Sequence, residues 1–236
     1  YGMVSDAALL AYQSIDDTSA AGYDCPMKAG VLPTEVSSLI NKAINDGASI
    51  INYSATSPSP SEYLKWAIAR AMSQGVIITT GAGNTSPDNT GSSLSQWSGV
   101  VGVSAIGTDG KFASYSSWGQ GVTTAAVGGP VIARDADGNI SSTQGISFSA
   151  PIVAGILAQA RAKWPNATSN QLLQLLVNTA STPEGGRDIY VGYGPINPGK
   201  MLNTDPSQYL DENPLADKGA LEPDTRGGSP VRRWPR

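Results

Sequence analysis

Residues 49–84 read SIINYSATSPSPSEYLKWAIARAMSQGVIITTGAGN, and this stretch decides the fold class. Ser49-Ile50-Ile51-Asn52-Tyr53 is a short β-branched run that reads as a buried strand. Glu62 to Ser73 reads as a helix, with Gly75 as its stop. Val76-Ile77-Ile78-Thr79-Thr80 is the next apolar run, and a third strand-like run, Gly99 to Ser104, follows it. Strands alternating with amphipathic helices are the pattern of a parallel sheet covered by helices. Gly81-Ala82-Gly83-Asn84 comes directly after a strand. Asn84 therefore emerges at a strand's C-terminal end, where α/β proteins build their sites.

The flanking sequence extends the pattern in both directions. Upstream, Ala7 to Tyr12 reads as a first strand, and a Gly/Ser/Asp-rich loop runs through Asp16-Asp17 to Pro26. Pro33-Thr34-Glu35 opens a helix that reaches Asn45-Asp46-Gly47, with Val36, Leu39, Ile40, Ala43 and Ile44 on its buried face. Downstream of about residue 110 the strands become short and the turns tight. Val131 to Arg134 and Asn139 to Ser142 flank Asp135-Ala136-Asp137-Gly138, which carries Asp-Gly hairpin chemistry. Two helices follow. Phe148 to Lys163 is rich in small residues, which suits close packing, and Ser169 to Asn178 is capped by Thr168-Ser169. After Leu202 the chain turns Pro-, Asp- and Gly-rich, so 1–202 reads as one α/β domain and 203–236 as a tail or linker.

Composition narrows the function. The 236 residues are 40% hydrophobic and only 14% charged, which suits one domain with a large core. A net charge of −4 gives no footprint for nucleic acid, and the basic end Arg232 to Arg236 is too short to change that. No stretch reaches the roughly 18–20 apolar residues of a membrane span. Cys25 is the single cysteine, so no disulfide forms within the chain. Histidine is absent altogether, which excludes a His-ligated metal and a histidine base supplied by these residues.

Gly145-Ile146-Ser147-Phe148-Ser149-Ala150-Pro151 carries the strongest chemical signal. It places a serine at the start of a helix, where free N–H groups and the helix dipole favour developing negative charge. The plain alternative is that Ser147 is only a helix cap. Asn84 offers a side-chain amide that can donate to a tetrahedral oxyanion, against the plain alternative of a Gly/Asn turn. A nucleotide loop is excluded, because Ser86 stands where the third glycine is needed and Pro87 to Gly91 is loop rather than helix.

Together these residues resemble the subtilisin-like serine proteases, the subtilases. The likeness runs through Ile50-Ile51-Asn52-Tyr53-Ser54, Gly75 to Asn84, Phe112 to Gly119 and Gly145 to Gly155, in the family's order, and closes on Gly192 to Pro198. It implies a three-layer α/β fold with a mainly parallel sheet, and it covers about residues 1–202. Ser147 matches the family's nucleophile and Asn84 its oxyanion donor. Ser54, Ala55 and Thr56 resemble the strand edge that binds an extended peptide, and Ala82 and Gly83 part of the opposite wall of the S1 pocket. The implied partner is a peptide or protein substrate, in a secreted or envelope-attached endopeptidase. The family's catalytic Asp strand and His helix belong before Tyr1, so this chain is expected to lack them and, alone, to be inactive.

The departures from the family are specific. Ile146 stands where threonine is usual, Thr56 and Ser57 replace glycines, Ile152 replaces a frequent non-catalytic histidine, and Ala126-Val127-Gly128 replaces Ala-Pro-Gly. Asp16 and Asp17 do not fit the missing acid by spacing. Asp135 to Asn139 resembles the start of a calcium loop, but Ile146 occupies the closing ligand position, so a hairpin is expected and no cofactor. The ending Tyr193 to Pro198 with its Pro-rich tail is similar to mycosin-like proteases, whose tails lead to a membrane anchor. Two other functions compete. A peptide-binding subtilase relative without catalysis fits the missing base. An α/β-hydrolase esterase does not fit, since Ser149 replaces the second glycine of its motif and no histidine follows.

Overall fold

The alternation of apolar side chains along the central strands sorts the core into two halves. Ile77, Val101 and Val103 point to one face of the sheet, and Ile78 and Val100 to the other. In the computed structural model, residues 4–12, 35–55, 61–84, 94–134, 137–183 and 186–217 are described. Their order is α1 (Val36–Asn45), β1 (Ile50–Tyr53), α2 (Glu62–Ser73), β2 (Ile77–Gly81), β3 (Val100–Gly107), β4 (Val122–Gly129), β5 (Val131–Arg134), β6 (Ile140–Thr143), α3 (Ile146–Lys163), α4 (Ser169–Thr179) and α5 (Pro198–Leu202).

β1 to β4 form one parallel sheet in chain order, with Ile51 beside Ile78 and Thr80 beside Gly102 in the register. α1 and α2 cover one face through Val36, Ile40, Leu64 and Ile68. α3 and α4 cover the other through Val153, Ile156, Leu157, Leu172 and Leu176. This is the three-layer α/β arrangement expected from the sequence, with both sheet faces buried as a parallel sheet requires. The segment Gly192 to Ile196 lies along β4. Tyr193 N–H donates to Thr123 O at 2.9 Å, and Ile196 N–H to Ala125 O at 2.9 Å.

Local chemistry explains the element ends. The Ser61 hydroxyl caps α2 by accepting from Leu64 N–H, and Thr168 with Gln171 forms a reciprocal capping box at α4. α1 closes at Gly47, whose φ of +87° is open to glycine and costly for other residues.

Several expectations need correction. Ala7 to Tyr12 is not a strand. Leu9 is 91% exposed, and among the described residues nothing pairs with it, so its apolar side chains have no sheet to enter. β1 is half-exposed rather than buried, because it is the edge of the sheet. Leu39 is only partly buried on α1, where Ser37 is covered instead. α3 begins at Ile146, two residues before the expected start. Packing does not stop at Leu202. Leu215 is 2% exposed in the α3/α4 core, its carbonyl accepts Gly99 N–H at 2.7 Å, and Asp211 accepts from Thr168 at 2.6 Å. β5 and β6 pair antiparallel as expected for the hairpin. Thr56, Ser57, Asp16, Asp17 and Cys25 lie outside the described residues, as do Asp135 and Ala136 of the turn. Among the described residues no helix is long and apolar enough to cross a membrane.

Candidate active site

The ends of β1 and β2 and the first turn of α3 converge. Gly145 is the N-cap of α3, so Ser147 is the second residue of the helix and not its cap. The plain capping reading of Ser147 therefore does not hold. Its N–H has no carbonyl four residues back in the helix to bond, and the residue is exposed. Ser147 Oγ donates to Ser54 O at 3.2 Å, which joins the serine to the segment just beyond β1.

Asn84 lies three residues past the end of β2. Its Oδ1 accepts the Ile146 N–H at 2.9 Å. With its amide oxygen held by the helix, Asn84 keeps its Nδ2 group as a hydrogen-bond donor. The Nδ2 and Oδ1 atoms both lie within 4 Å of the point where a side chain on Gly145 would begin. Asn84 and the Ser147 amide are thus neighbours across the N-cap glycine.

The wall leading to Asn84 is pinned. Ala82 is buried and its N–H donates to Val103 O at 2.8 Å, while Gly83 O accepts Ser117 N–H at 2.9 Å. Ser117 itself is held by the buried Ser116 hydroxyl, which accepts Ala105 N–H at 3.0 Å and donates to Ser117 O at 3.0 Å. On the other side, Asn52 donates to Ser54 Oγ at 2.8 Å and accepts from Thr79 Oγ1 at 3.1 Å. Ala55 is exposed beside Ser54.

Behind the helix start, Gly145 N–H donates to Gly128 O at 2.8 Å, and Ser149 Oγ donates to Ala126 O at 3.1 Å. Burial raises the Tyr115 hydroxyl above its ordinary pKa, so the group stays neutral beneath the turn. Of the residues singled out in the sequence, Ser147 meets Ser54 directly, Asn84 joins the same turn through the Ile146 N–H, and Ala82 and Gly83 are fixed beside it. Two contributors were not legible there. The Ile146 amide locks Asn84, and Gly81 admits the Ile146 side chain; the sequence marked Asn84 and Ser147 but not these two contacts.

The family model described as "Subtilase family" matches residues 21–194, which is most of the chain. The chain belongs to the subtilase family.

Among its relatives, the thermostable alkaline protease of Halalkalibacterium halodurans is 33% identical over 161 residues, covering 68% of this chain and 44% of that protein. Subtilisin amylosacchariticus of Bacillus subtilis subsp. amylosacchariticus is 28% identical over 199 residues, covering 83% of this chain and 49% of that one. The chain thus spans about half the length of these curated relatives. Among solved structures, MycP1 from the ESX-1 type VII secretion system superimposes with a TM-score of 0.65 at 26% identity, covering 76% of this chain and 57% of that one. The α/β architecture and parallel sheet of this subtilase chain agree with these relatives.

Proposed function

We propose that this chain supplies the nucleophile and oxyanion hole of a serine endopeptidase. Ser147 Oγ attacks the peptide carbonyl and forms the acyl–oxygen bond. Its proton passes to a base and then to the leaving amine as the C–N bond breaks. The oxyanion is held by Asn84 Nδ2 and the Ser147 N–H. Ser54, Ala55 and Thr56 bind the substrate as an added strand, with Ala82 and Gly83 opposite. The histidine base and its aspartate come from outside these 236 residues, which contain no histidine. The chain alone is inactive in hydrolysis, and the working enzyme acts outside the cytoplasm.

The observation that carries this reading is the Asn84–Ile146 hydrogen bond, which orients a side-chain donor beside the amide of a helix-start serine. A peptidyl boronic acid tests it without needing a base. Ser147 Oγ adds to the trigonal boron, the proton goes to solvent, and boron becomes a tetrahedral anion whose oxygen takes the oxyanion position. With a set of N-acetyl tripeptide boronic acids differing at the first residue, boron NMR should show a tetrahedral adduct that Ser147→Ala abolishes. Only trigonal boron at saturating concentration would sink the proposal.

A second reading, a peptide-binding relative without catalysis, is favoured by one contact. The Ser147 hydroxyl donates its hydrogen bond to the neutral Ser54 carbonyl rather than to a base. That reading predicts peptide binding unaffected by Ser147→Ala and no boron adduct.

A further inference from the structure

The Ile146 side chain packs the first turn of α3 against the end of β2. Ile146 is 3% exposed. A Cβ built on Gly81 would fall 1.7 Å from Ile146 Cδ1, 2.9 Å from Cγ1 and 3.2 Å from Cβ. The side chain therefore occupies the space that any other residue at 81 would need. Gly81 is not among the glycines with positive φ, so its backbone suits alanine and the glycine is there for room alone.

The two sides of this contact differ in freedom. Gly81 ends β2 and pairs with Val103 of β3, and the next two residues are tied to Val103 and Ser117. The strand end is fixed, so the helix start is the part whose position the contact sets. The residue carrying the side chain is also the residue whose N–H holds Asn84 Oδ1 at 2.9 Å, and it precedes Ser147. A displacement of the Ile146 backbone would therefore shift the Asn84 contact and the adjoining Ser147 N–H together.

We infer that Ile146 is a positioning residue: its side chain, seated on the bare Cα of Gly81, sets the height of the first turn of α3 and with it the relation of Asn84 Nδ2 to the Ser147 N–H. This rests on the oxyanion-hole reading given above. It gives a physical role to the isoleucine that departs from the family's usual threonine, and it ties that departure to a glycine 65 positions upstream in the sequence.

The test is a double-mutant cycle in the full 236-residue chain with Gly81→Ala, Ile146→Ala and both together. Two readouts are taken: hydrogen exchange of the residue-146 amide, and affinity for a tripeptide boronic acid. Gly81→Ala alone should speed that exchange and weaken the boronate by about tenfold or more, because a well-packed turn is forced off its seat. Ile146→Ala alone should cost several-fold. The double variant should fall within about threefold of Ile146→Ala alone, since the added methyl then meets only the residual Cβ. Losses that multiply in the double variant, or a Gly81→Ala protein with unchanged exchange, overturn the inference. If Gly81→Ala does not fold, recovery of a cooperative thermal transition on adding Ile146→Ala supports it, and failure to recover overturns it. The two readouts separate the two proposals. Exchange that follows the cycle without any boronate adduct keeps the seating and removes the nucleophile reading. An adduct with multiplicative exchange losses does the reverse.

Discussion

The Ile146 N–H and the Asn84 side chain are joined at 2.9 Å across 62 residues of sequence. α3 takes its cap from another strand end, because its own N-cap, Gly145, has no side chain to accept the bond. Asn84 Oδ1 caps the helix, and under the proposed function Asn84 Nδ2 has a second, separable duty as an oxyanion donor.

Substitution at Asn84 should split these duties. Asn84→Ala loses both, and should lower stability by about 1 kcal/mol as a lost cap while weakening the boronate adduct. Asn84→Asp keeps an acceptor and adds charge at a helix N-terminus, so at neutral pH its stability should match or exceed wild type. It has no donor, and its adduct should weaken about 10²–10³-fold. Denaturant midpoints beside boronate titrations decide the matter; equal stability losses in both variants would contradict the capping role.

Leu215 should behave as a core residue despite its place in a Pro-rich stretch. Leu215→Ala should cost about 2–5 kcal/mol, because its side chain is 2% exposed among the α3 and α4 residues. A chain ending at Leu202 should lose at least as much. Urea unfolding of both proteins checks this, and a loss below about 1 kcal/mol would mean the segment is only draped on the surface.

Gly128→Ala should damage the helix start from behind. The new methyl would lie 2.6 Å from Tyr115 Oη and 2.7 Å from both Ala105 Cβ and Ser149 Oγ. Relief requires moving β3, the Tyr115 segment or α3, at a cost of about 1–3 kcal/mol. The thermal midpoint should fall by several degrees, and boronate affinity should fall with it. An unchanged midpoint would show that the three elements are not packed as described.

Tyr12 should titrate late. Its hydroxyl donates to Asp46 Oδ2 at 2.5 Å, and that bond raises its pKa from 10.0 to about 12. Lys42, first, and Tyr12 hold the Asp46 carboxyl below its ordinary value. A phenol raised in the fold stabilises the folded state below pH 10 and loses that effect as pH climbs through 12. The depressed carboxyl has the opposite sense, its contribution fading as acid protonates it. Ultraviolet titration should show Tyr12 ionising late, with the buried Tyr115 hydroxyl also displaced upward, and Asp46→Asn should shift Tyr12 alone back toward the ordinary range.

Much of the scaffold was legible because its signals are local. The bounds of α2 follow from its apolar spacing and from Gly75, and the hairpin of β5 and β6 from Asp-Gly turn chemistry. The exceptions share a cause. Ala7 to Tyr12 carries a strand's composition, yet composition supplies only one partner of a ladder, and β1 is half-exposed because sheet position is not written in a strand's own residues. Leu215 sits in a segment without periodicity, so its burial had no local signature.

The sequence by itself determined the layered α/β class, the identity of Ser147 and Asn84 as the residues to watch, and the absence of a histidine. These depend on residue type and short-range spacing, which the chain states directly. Tertiary structure alone decided that Ser147 is not a cap, that Asn84 is locked by Ile146, and that the Ile146 side chain fills the space beside the Cα of Gly81. Such relations join atoms far apart along the chain. Close packing fixes them only once β2 and α3 have been brought to the same end of the sheet.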